Sequence, residues 1–386
     1  MFEDYLADLA AKHLTRRLLP VDSGTGPVVR MNGRDVLLFA SNDYLGLANH
    51  PDVVAAALRA TQAYGAGSGA ARLVSGSLPP HQDLEQALAQ FKGTESALTF
   101  GSGYLANVGI IPALIGRGGL VFADRLCHAS VLDGCRLSGA DLRIYRHNDL
   151  QHLAALLGKR RKARQTLIVT DGVFSMDGDL APLPDLAALA ESYEAEIYVD
   201  DAHGTGVMGT QGRGTVEHFR MERRIPLQMG TLSKALGSSG AFVVGPEPSI
   251  HYLMNRCRSF LFATAPPPGT AAAAAAAIEI VRREPERRHR LWKNRERLFT
   301  GLRQLGFTLA PSVTPIIPIV VGAAETAVKF AELLLANDVF APAVRPPTVP
   351  ADTSRLRVTV TSEHTTAHID QALAAFKQAG ASTGIL

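Results

Sequence analysis

Lys234 is the residue with the most chemistry around it. It stands in Thr231-Leu232-Ser233-Lys234-Ala235-Leu236-Gly237, among hydroxyls and small side chains that leave space around the amine. About thirty residues upstream, the strand-like run Glu196 to Asp200 opens into Asp200-Asp201-Ala202-His203-Gly204-Thr205-Gly206. An apolar strand thus delivers an acid, and His203 follows in the same turn. An amine that condenses with an aldehyde, an acid that keeps an aromatic ring nitrogen protonated and donors for a phosphate are what pyridoxal phosphate requires.

Other polar groups recur just past predicted strands. Gly101-Ser102-Gly103-Tyr104 follows Ala97–Phe100, and Asp124 to His128 follows Gly119–Ala123. Asp171 to Ser175 follows Thr166–Thr170, and Thr231 to Lys234 follows Ile225–Met229. Ligands of an open α/β sheet bind beyond the carboxyl ends of its strands, so these loops are expected to share one edge. Each residue also has a plain structural reading. Asp200 suits a helix N-cap, His203 a loop histidine, and His128 either a buried structural histidine or an imidazole stacked on a pyridine face. Lys234 alone would be a surface charge. Gly101-Ser102-Gly103 is either a tight turn or a set of backbone donors at a helix start. Their occurrence together, in this order, favours chemistry.

The elements needed to position these groups are legible. Short apolar runs at Ala97–Phe100, Gly119–Ala123, Leu142–Tyr145, Thr166–Thr170, Glu196–Asp200 and Ala241–Gly245 alternate with helical stretches such as Pro51–Tyr64 and Gln82–Lys92. This is the pattern of an α/β fold with a mainly parallel sheet covered on both faces. The pattern predicts an N-terminal segment over 1–45, a large domain over 46–280 and a smaller α+β domain over 281–386. Within the last part, strands are expected at Ile316–Val321 and Leu356–Thr361, with helices at Ala324–Asn337 and Thr366–Gln378. A long helix rich in Ala and Arg is expected to run from Pro266-Pro267-Pro268 through Glu284-Pro285 to Gly306.

Bulk composition narrows the options. The 386 residues carry a net charge of +3, too small to argue for nucleic acid. The basic runs Lys159–Arg164 and Arg287–Arg290 read as solvated faces. Cys127, Cys135 and Cys257 form no metal-spaced pair and no disulfide framework, which points to a reducing compartment, the cytoplasm, and to no bound metal. Met1 to Pro20 reads as an amphipathic helix, not a signal peptide. The alanine run Ala271–Ala277 reads as a tightly packed helix, not a membrane span.

Taken together, the motifs carry a resemblance. Ser41-Asn42-Asp43-Tyr44-Leu45-Gly46, Asp171-Gly172-Val173-Phe174-Ser175-Met176-Asp177-Gly178-Asp179, the Asp200–Gly206 run and the lysine segment resemble the α-oxoamine synthase family, fold-type-I pyridoxal-phosphate enzymes, over nearly the whole chain. Arg345-Pro346-Pro347-Thr348-Val349-Pro350, then Arg355-Leu356-Arg357, is similar to the C-terminal signature of the family's biotin-pathway branch. The resemblance implies the PLP-dependent transferase fold type I, with Lys234 as Schiff-base lysine and base. It implies Asp200 at the ring nitrogen, His203 at the phenolic oxygen and His128 stacked on the ring with reach to the substrate. Gly103, Tyr104, Ser175 and Thr231 would be further cofactor contacts, Thr231 at the phosphate. Arg357 would hold the amino acid carboxylate, helped by Asn42, while Arg16 and Thr348 would bind substrate. One departure is Leu232-Ser233 before the lysine, where other members often carry an aromatic residue and a glycine.

The implied reaction is decarboxylative condensation of L-alanine with a pimeloyl thioester, with a glycine-using acetyl-CoA ligase, 5-aminolevulinate synthase and serine palmitoyltransferase as rival members. A catalytically silent homologue acting as a binding subunit is the rival of another class. The implied assembly is a homodimer, with Thr264 near the partner's site and no nucleic-acid or membrane partner.

Overall fold

Seven short strands pair into one sheet in the computed structural model, which describes residues 2–159 and 164–386. The basic run Lys159–Arg164 falls, over 160–163, outside the described residues. From edge to edge the strands are Asp141–Tyr145, Leu120–Asp124, Thr166–Asp171, Glu196–Asp200, Gln228–Thr231, Ala241–Gly245 and Ser96–Phe100. Pairing is parallel as far as Gln228–Thr231, and Ala241–Gly245 runs against both its neighbours. All the other strands therefore point one way, and their carboxyl ends form one edge. Successive residues face opposite sides of a sheet. Leu120, Phe122, Ile168, Ile197 and Val199 enter one core, while Val121, Ala123, Leu167, Val169 and Tyr198 enter another. Burial on both faces is why these runs read as continuous apolar segments. The strand before Lys234 lies later than expected, at Gln228–Thr231 instead of Ile225–Met229. Pro226 has no N–H to give a ladder, and Thr231 becomes the last strand residue.

By internal packing the chain forms two units. One comprises His50–Phe174 and Leu180–Pro285 and holds this sheet. Its helix Pro268–Arg283 packs on the helices Pro51–Tyr64 and Pro79–Lys92. Ala271, Ala273, Ala274 and Ala277 are buried there. A Cβ on Gly269 would stand 2.5 Å from Thr61 Oγ1 and 3.1 Å from the Ala57 carbonyl, so only small residues allow this approach. The long helix expected across Glu284-Pro285 is two helices, Pro268–Arg283 and Pro285–Gln304. Pro285 cannot donate into the preceding helix and disfavours helical geometry at Glu284, which sits at φ −119° and ψ 64°; Pro285 opens the second helix instead.

The other unit comprises the chain up to Asn49, Ser175–Asp179 and Glu286–Leu386. Strand Arg34–Leu38 pairs antiparallel with Val28–Met31 and parallel with Val339–Phe340. A second sheet places Ser354–Thr359 between Ile316–Gly322 and Ala343–Val344. Phe307, Phe330 and Phe376 meet ring to ring beneath the helices Ala324–Ala336 and Thr366–Thr383. The N-terminal helix covers only Phe2–Ala11, not the whole of Met1 to Pro20, and buries none of its residues.

Candidate active site

Asp200 ends its strand with 5% of its surface exposed. One carboxylate oxygen accepts the Ala202 N–H at 3.0 Å and the other accepts Asn107 Nδ2 at 2.7 Å. Asn107 is fully buried in the helix Gly103–Leu114 and accepts the Tyr198 hydroxyl at 2.8 Å. Its amide also donates to Ser130 Oγ at 2.9 Å, and Ser130 Oγ lies 2.7 Å from His128 Nδ1. His128 caps the helix Ala129–Ser138, where its Nδ1 accepts the Ser130 N–H at 3.3 Å. Asp171 is the cross-strand partner of Asp200, and both its oxygens take the His128 N–H at 3.2 Å. Burial, reinforced by the charge of Asp200, holds the Asp171 carboxyl well above the usual carboxylate range. His128 is exposed by surface area, yet neighbouring protein removes enough water from its ring to lower the imidazole pKa. The Lys234 charge adds to that lowering and the Asp200 charge opposes it, so amine, imidazole and carboxylate share one electrostatic neighbourhood.

The turn after Asp200 is held from beneath. Asp201 is fully buried and accepts Thr215 N–H at 3.1 Å, Thr215 Oγ1 at 2.7 Å and Lys92 Nζ at 3.3 Å. Lys92 Nζ also donates to the Arg213 carbonyl. Gly214, at φ +115°, runs so close that a Cβ there would stand 1.6 Å from Asp201 Oδ2. This bracing fixes Ala202 and His203, which is 9% exposed, directly after the strand.

The lysine segment is a closed loop. The Leu232 N–H donates to the Gly240 carbonyl at 3.0 Å and the Ser238 N–H to the Leu232 carbonyl at 2.9 Å. Gly240 at φ +107° lets the chain return without strain. Thr231 Oγ1 donates to the Gly240 carbonyl at 2.9 Å and meets Ser233 Oγ at 2.8 Å. Lys234 is half-buried at the head of this loop. Gly103 and Tyr104 open the helix whose cap, Ser102, accepts the Leu105 N–H at 3.1 Å. The first N–H groups of a helix have no partner within it and suit an anion. The half-exposed Tyr104 ring is fixed by its hydroxyl, which donates to Asp133 at 2.8 Å.

The remaining candidates belong to the other unit. Arg357, buried on the strand Ser354–Thr359, donates Nε to the Ser175 carbonyl at 2.6 Å and Nη2 to Asn42 Oδ1 at 3.2 Å. Nη2 also donates to the Tyr44 hydroxyl oxygen at 3.5 Å; burial raises the pKa of that phenol and the guanidinium partly offsets this. Arg357, Asn42 and Ser175 are thus one cluster. Arg16 and Thr348 are both exposed. Arg345 donates to the carbonyls of His13 and, at 3.2 Å, of Thr15. Its pKa is lowered by burial and then by the Arg16 charge, so two guanidinium groups lie near each other beside the segment that carries Thr348.

Asn107, Ser130 and the Lys92–Asp201 pair escape a reading by motif. The signal for Asn107 was a lone amide in the otherwise apolar stretch Leu105-Ala106-Asn107-Val108-Gly109-Ile110-Ile111, because a buried amide must have partners.

The mainly parallel sheet, the strand-end acid and the lysine loop define a class, and the comparisons agree with it. The family model "Aminotransferase class I and II" matches residues 34–376, and the chain belongs to that family. Among individual proteins, 8-amino-7-oxononanoate synthase of Geobacter sulfurreducens is 50% identical over 99% of this chain and 98% of its own length. 8-Amino-7-oxononanoate synthase 1 of Bacillus velezensis is 44% identical over 94% of this chain and 93% of its own. Among solved structures, a serine palmitoyltransferase from S. paucimobilis with bound PLP–myriocin aldimine superposes with a TM-score of 0.96 at 34% identity, covering 100% of this chain and 98% of that one. An 8-amino-7-oxononanoate synthase from Francisella tularensis gives 0.77 at 29% identity, over 89% and 97%. The donor set around Lys234 fits pyridoxal phosphate: an amine, a buried carboxylate with both oxygens fixed, an imidazole and a helix start with free N–H groups.

Proposed function

We infer that this chain is a pyridoxal-phosphate-dependent acyltransferase that condenses L-alanine with a pimeloyl thioester in biotin biosynthesis. The products are 8-amino-7-oxononanoate, CO2 and the free thiol. The observation that carries this reading is near-full-length identity, at 43–50%, to relatives named for that reaction. Fold similarity alone does not choose among members, since a serine palmitoyltransferase superposes at a TM-score of 0.96.

When bound, pyridoxal phosphate supplies an electrophilic carbon and an electron sink for negative charge at the α-carbon of the amino acid. Lys234 Nζ would hold the cofactor and, as a free amine, would take the α-proton of alanine as general base. Asp200 keeps the ring nitrogen protonated, and the fixed geometry of its carboxylate makes it a stationary counter-charge. His203 would donate to the phenolic oxygen, while Gly103, Tyr104, Ser175 and Thr231 would complete the cofactor's contacts. His128 would stack on the ring. Its Nδ1 accepts the Ser130 N–H, so the neutral ring carries its proton on Nε2, a donor for the carbonyl oxygen of the acyl group. Arg357 grips the alanine carboxylate beside Asn42, and its Nε and Nη2 are already fixed by Ser175 and Asn42. Carbon–carbon bond formation at the acyl carbonyl carbon would break the carbon–sulfur bond and release a thiolate that takes a proton from solvent; the resulting β-keto acid would lose its carboxylate as CO2, and Lys234 would return its proton to the α-carbon. Arg16 and Thr348 bind the acyl substrate.

The working form is a cytoplasmic homodimer. Leu73, Val74 and Phe262 are apolar and exposed at 55%, 79% and 72%. They flank the Ala71–Thr264 bridge, a surface suited to a second copy of the chain. All three cysteines are buried and unpaired, which suits a reducing compartment. Among the described residues no helix is long and apolar enough to cross a membrane.

The test is a panel of L-alanine, glycine and L-serine against acetyl-, pimeloyl- and palmitoyl-CoA and pimeloyl acyl-carrier protein, read by thiol release. Turnover is expected with L-alanine and a pimeloyl thioester, and none with Lys234→Ala. Preference for L-serine with palmitoyl-CoA, or for glycine with acetyl-CoA, would refute the assignment.

A further inference from the structure

We infer that Asn107 is the positioning residue that sets Asp200 and His128 together, using the two hydrogens of one buried amide. The inference rests on the roles proposed above for these two residues. An asparagine amide has two N–H donors and one carbonyl acceptor. The Tyr198 hydroxyl, fully buried and 2.8 Å from Asn107 Oδ1, occupies the carbonyl. Burial holds that phenol well above its usual pKa, so it is present as a neutral donor. The amide orientation follows, because a flip would set the carbonyl oxygen 2.7 Å from the Asp200 carboxylate.

With the orientation fixed, each amide hydrogen has its own acceptor. One goes to Asp200 Oδ2 and the other to Ser130 Oγ at 2.9 Å. The first, with the Ala202 N–H on Oδ1, removes rotational freedom from the carboxylate. The second fixes Ser130 Oγ, and because Nδ1 already accepts the Ser130 N–H at 3.3 Å, the Ser130 hydroxyl is the donor of its 2.7 Å contact with His128 Nδ1. Nδ1 then receives both the Ser130 hydroxyl and the Ser130 N–H, and the proton of the neutral ring must be on Nε2. Tyr198, Asn107, Ser130 and His128 form one directed chain, branching at the amide to Asp200. Tyr198, Asn107 and Ser130 are all buried, and only their partners give them a task.

The experiment compares Asn107→Leu, which keeps volume and removes both donors, with Tyr198→Phe and Asp200→Asn. Three readouts are taken: affinity of the apo protein for pyridoxal phosphate by fluorescence, the pH midpoint of the visible band of the holoenzyme, and kcat separately from KM for L-alanine. Asn107→Leu is expected to weaken cofactor affinity and lower kcat by roughly 10- to 100-fold, because it leaves Asp200 Oδ2 without its donor while Oδ1 keeps the Ala202 N–H. The pH midpoint should move, and KM for L-alanine should change less than about threefold, since Arg357 is untouched. Tyr198→Phe should move all three the same way by less, and it carries the test if Asn107→Leu does not fold. Wild-type affinity and midpoint in both variants, with Asp200→Asn impaired, would overturn the positioning role and leave the Asp200 assignment standing. A wild-type Asp200→Asn would overturn both.

Discussion

Lys92→Met removes one half of an ion pair whose side chains are both 0% exposed. Asp201 would keep its bonds from Thr215 N–H and Oγ1, but no cation would face its buried charge. Breaking such a pair from one side costs about 3–5 kcal/mol, and the surviving Thr215 bonds argue for about 3. For a unit of this size 1 kcal/mol shifts the thermal midpoint by about 2–4 °C, so a fall of about 6–12 °C is expected. The pair itself is not a large net gain. Burial raises the Asp201 pKa and lowers that of Lys92, and in each case it outweighs the partner's charge. Removing both charges should therefore cost little more than removing one. In a cycle with Asp201→Asn, the double variant should be about 2–3 kcal/mol more stable than additivity demands. Calorimetry of the apo proteins at pH 7 measures all four corners. Additive single variants, or a Lys92→Met midpoint within about 2 °C of wild type, would refute the reasoning.

Two further outcomes follow from the other unit. Arg357→Lys should raise KM for L-alanine by roughly 30- to 100-fold while leaving pyridoxal-phosphate affinity within about twofold, because an ammonium cannot reproduce the planar fork that Ser175 and Asn42 hold; spectral titration of each ligand separates the two effects. His364, stacked on Phe39 with ring centroids 4.3 Å apart, has its pKa pushed down to about 4, chiefly by burial. The unfolded chain takes up this proton near pH 6.5 and the folded unit only near 4, so stability falls as pH drops through that window, by up to about 3 kcal/mol. Acid unfolding followed at steps of pH should show that loss, and His364→Asn should flatten it.

Much of this candidate site was legible because its residues stand where chain direction changes. Asp200 and Thr231 end strands, His128 caps a helix, and Gly103 starts one. Each belongs to a short run whose local pattern marks the boundary. Residues that brace the site from within elements carried no such mark. Lys92 closes a helix just before Gly93, where a lysine ordinarily reads as an exposed partner of the helix dipole. Its burial depends on Asp201 and on the Arg213 carbonyl, more than one hundred positions away by sequence. The helix break at Glu284-Pro285 was legible in principle, since proline is the strongest local signal available. Continuous Ala and Arg content across it suggested one helix, and backbone chemistry overrode composition.

The alanine helix has a consequence for how this sequence can drift. Written out, Ala271–Ala277 looks like low-complexity filler, the sort of stretch that tolerates anything. In three dimensions its seven letters carry two different vocabularies. Ala271, Ala273, Ala274 and Ala277 fill the narrow space against neighbouring helices, and a methylene added there meets packed atoms. Ala272, Ala275 and Ala276 are only half-buried and can accept longer or charged side chains. A randomised library over this run should therefore return alanine, glycine or serine at the first set and a broad mixture at the second. The monotony of the run is a ruler of interhelical distance, legible only once its neighbours are in place.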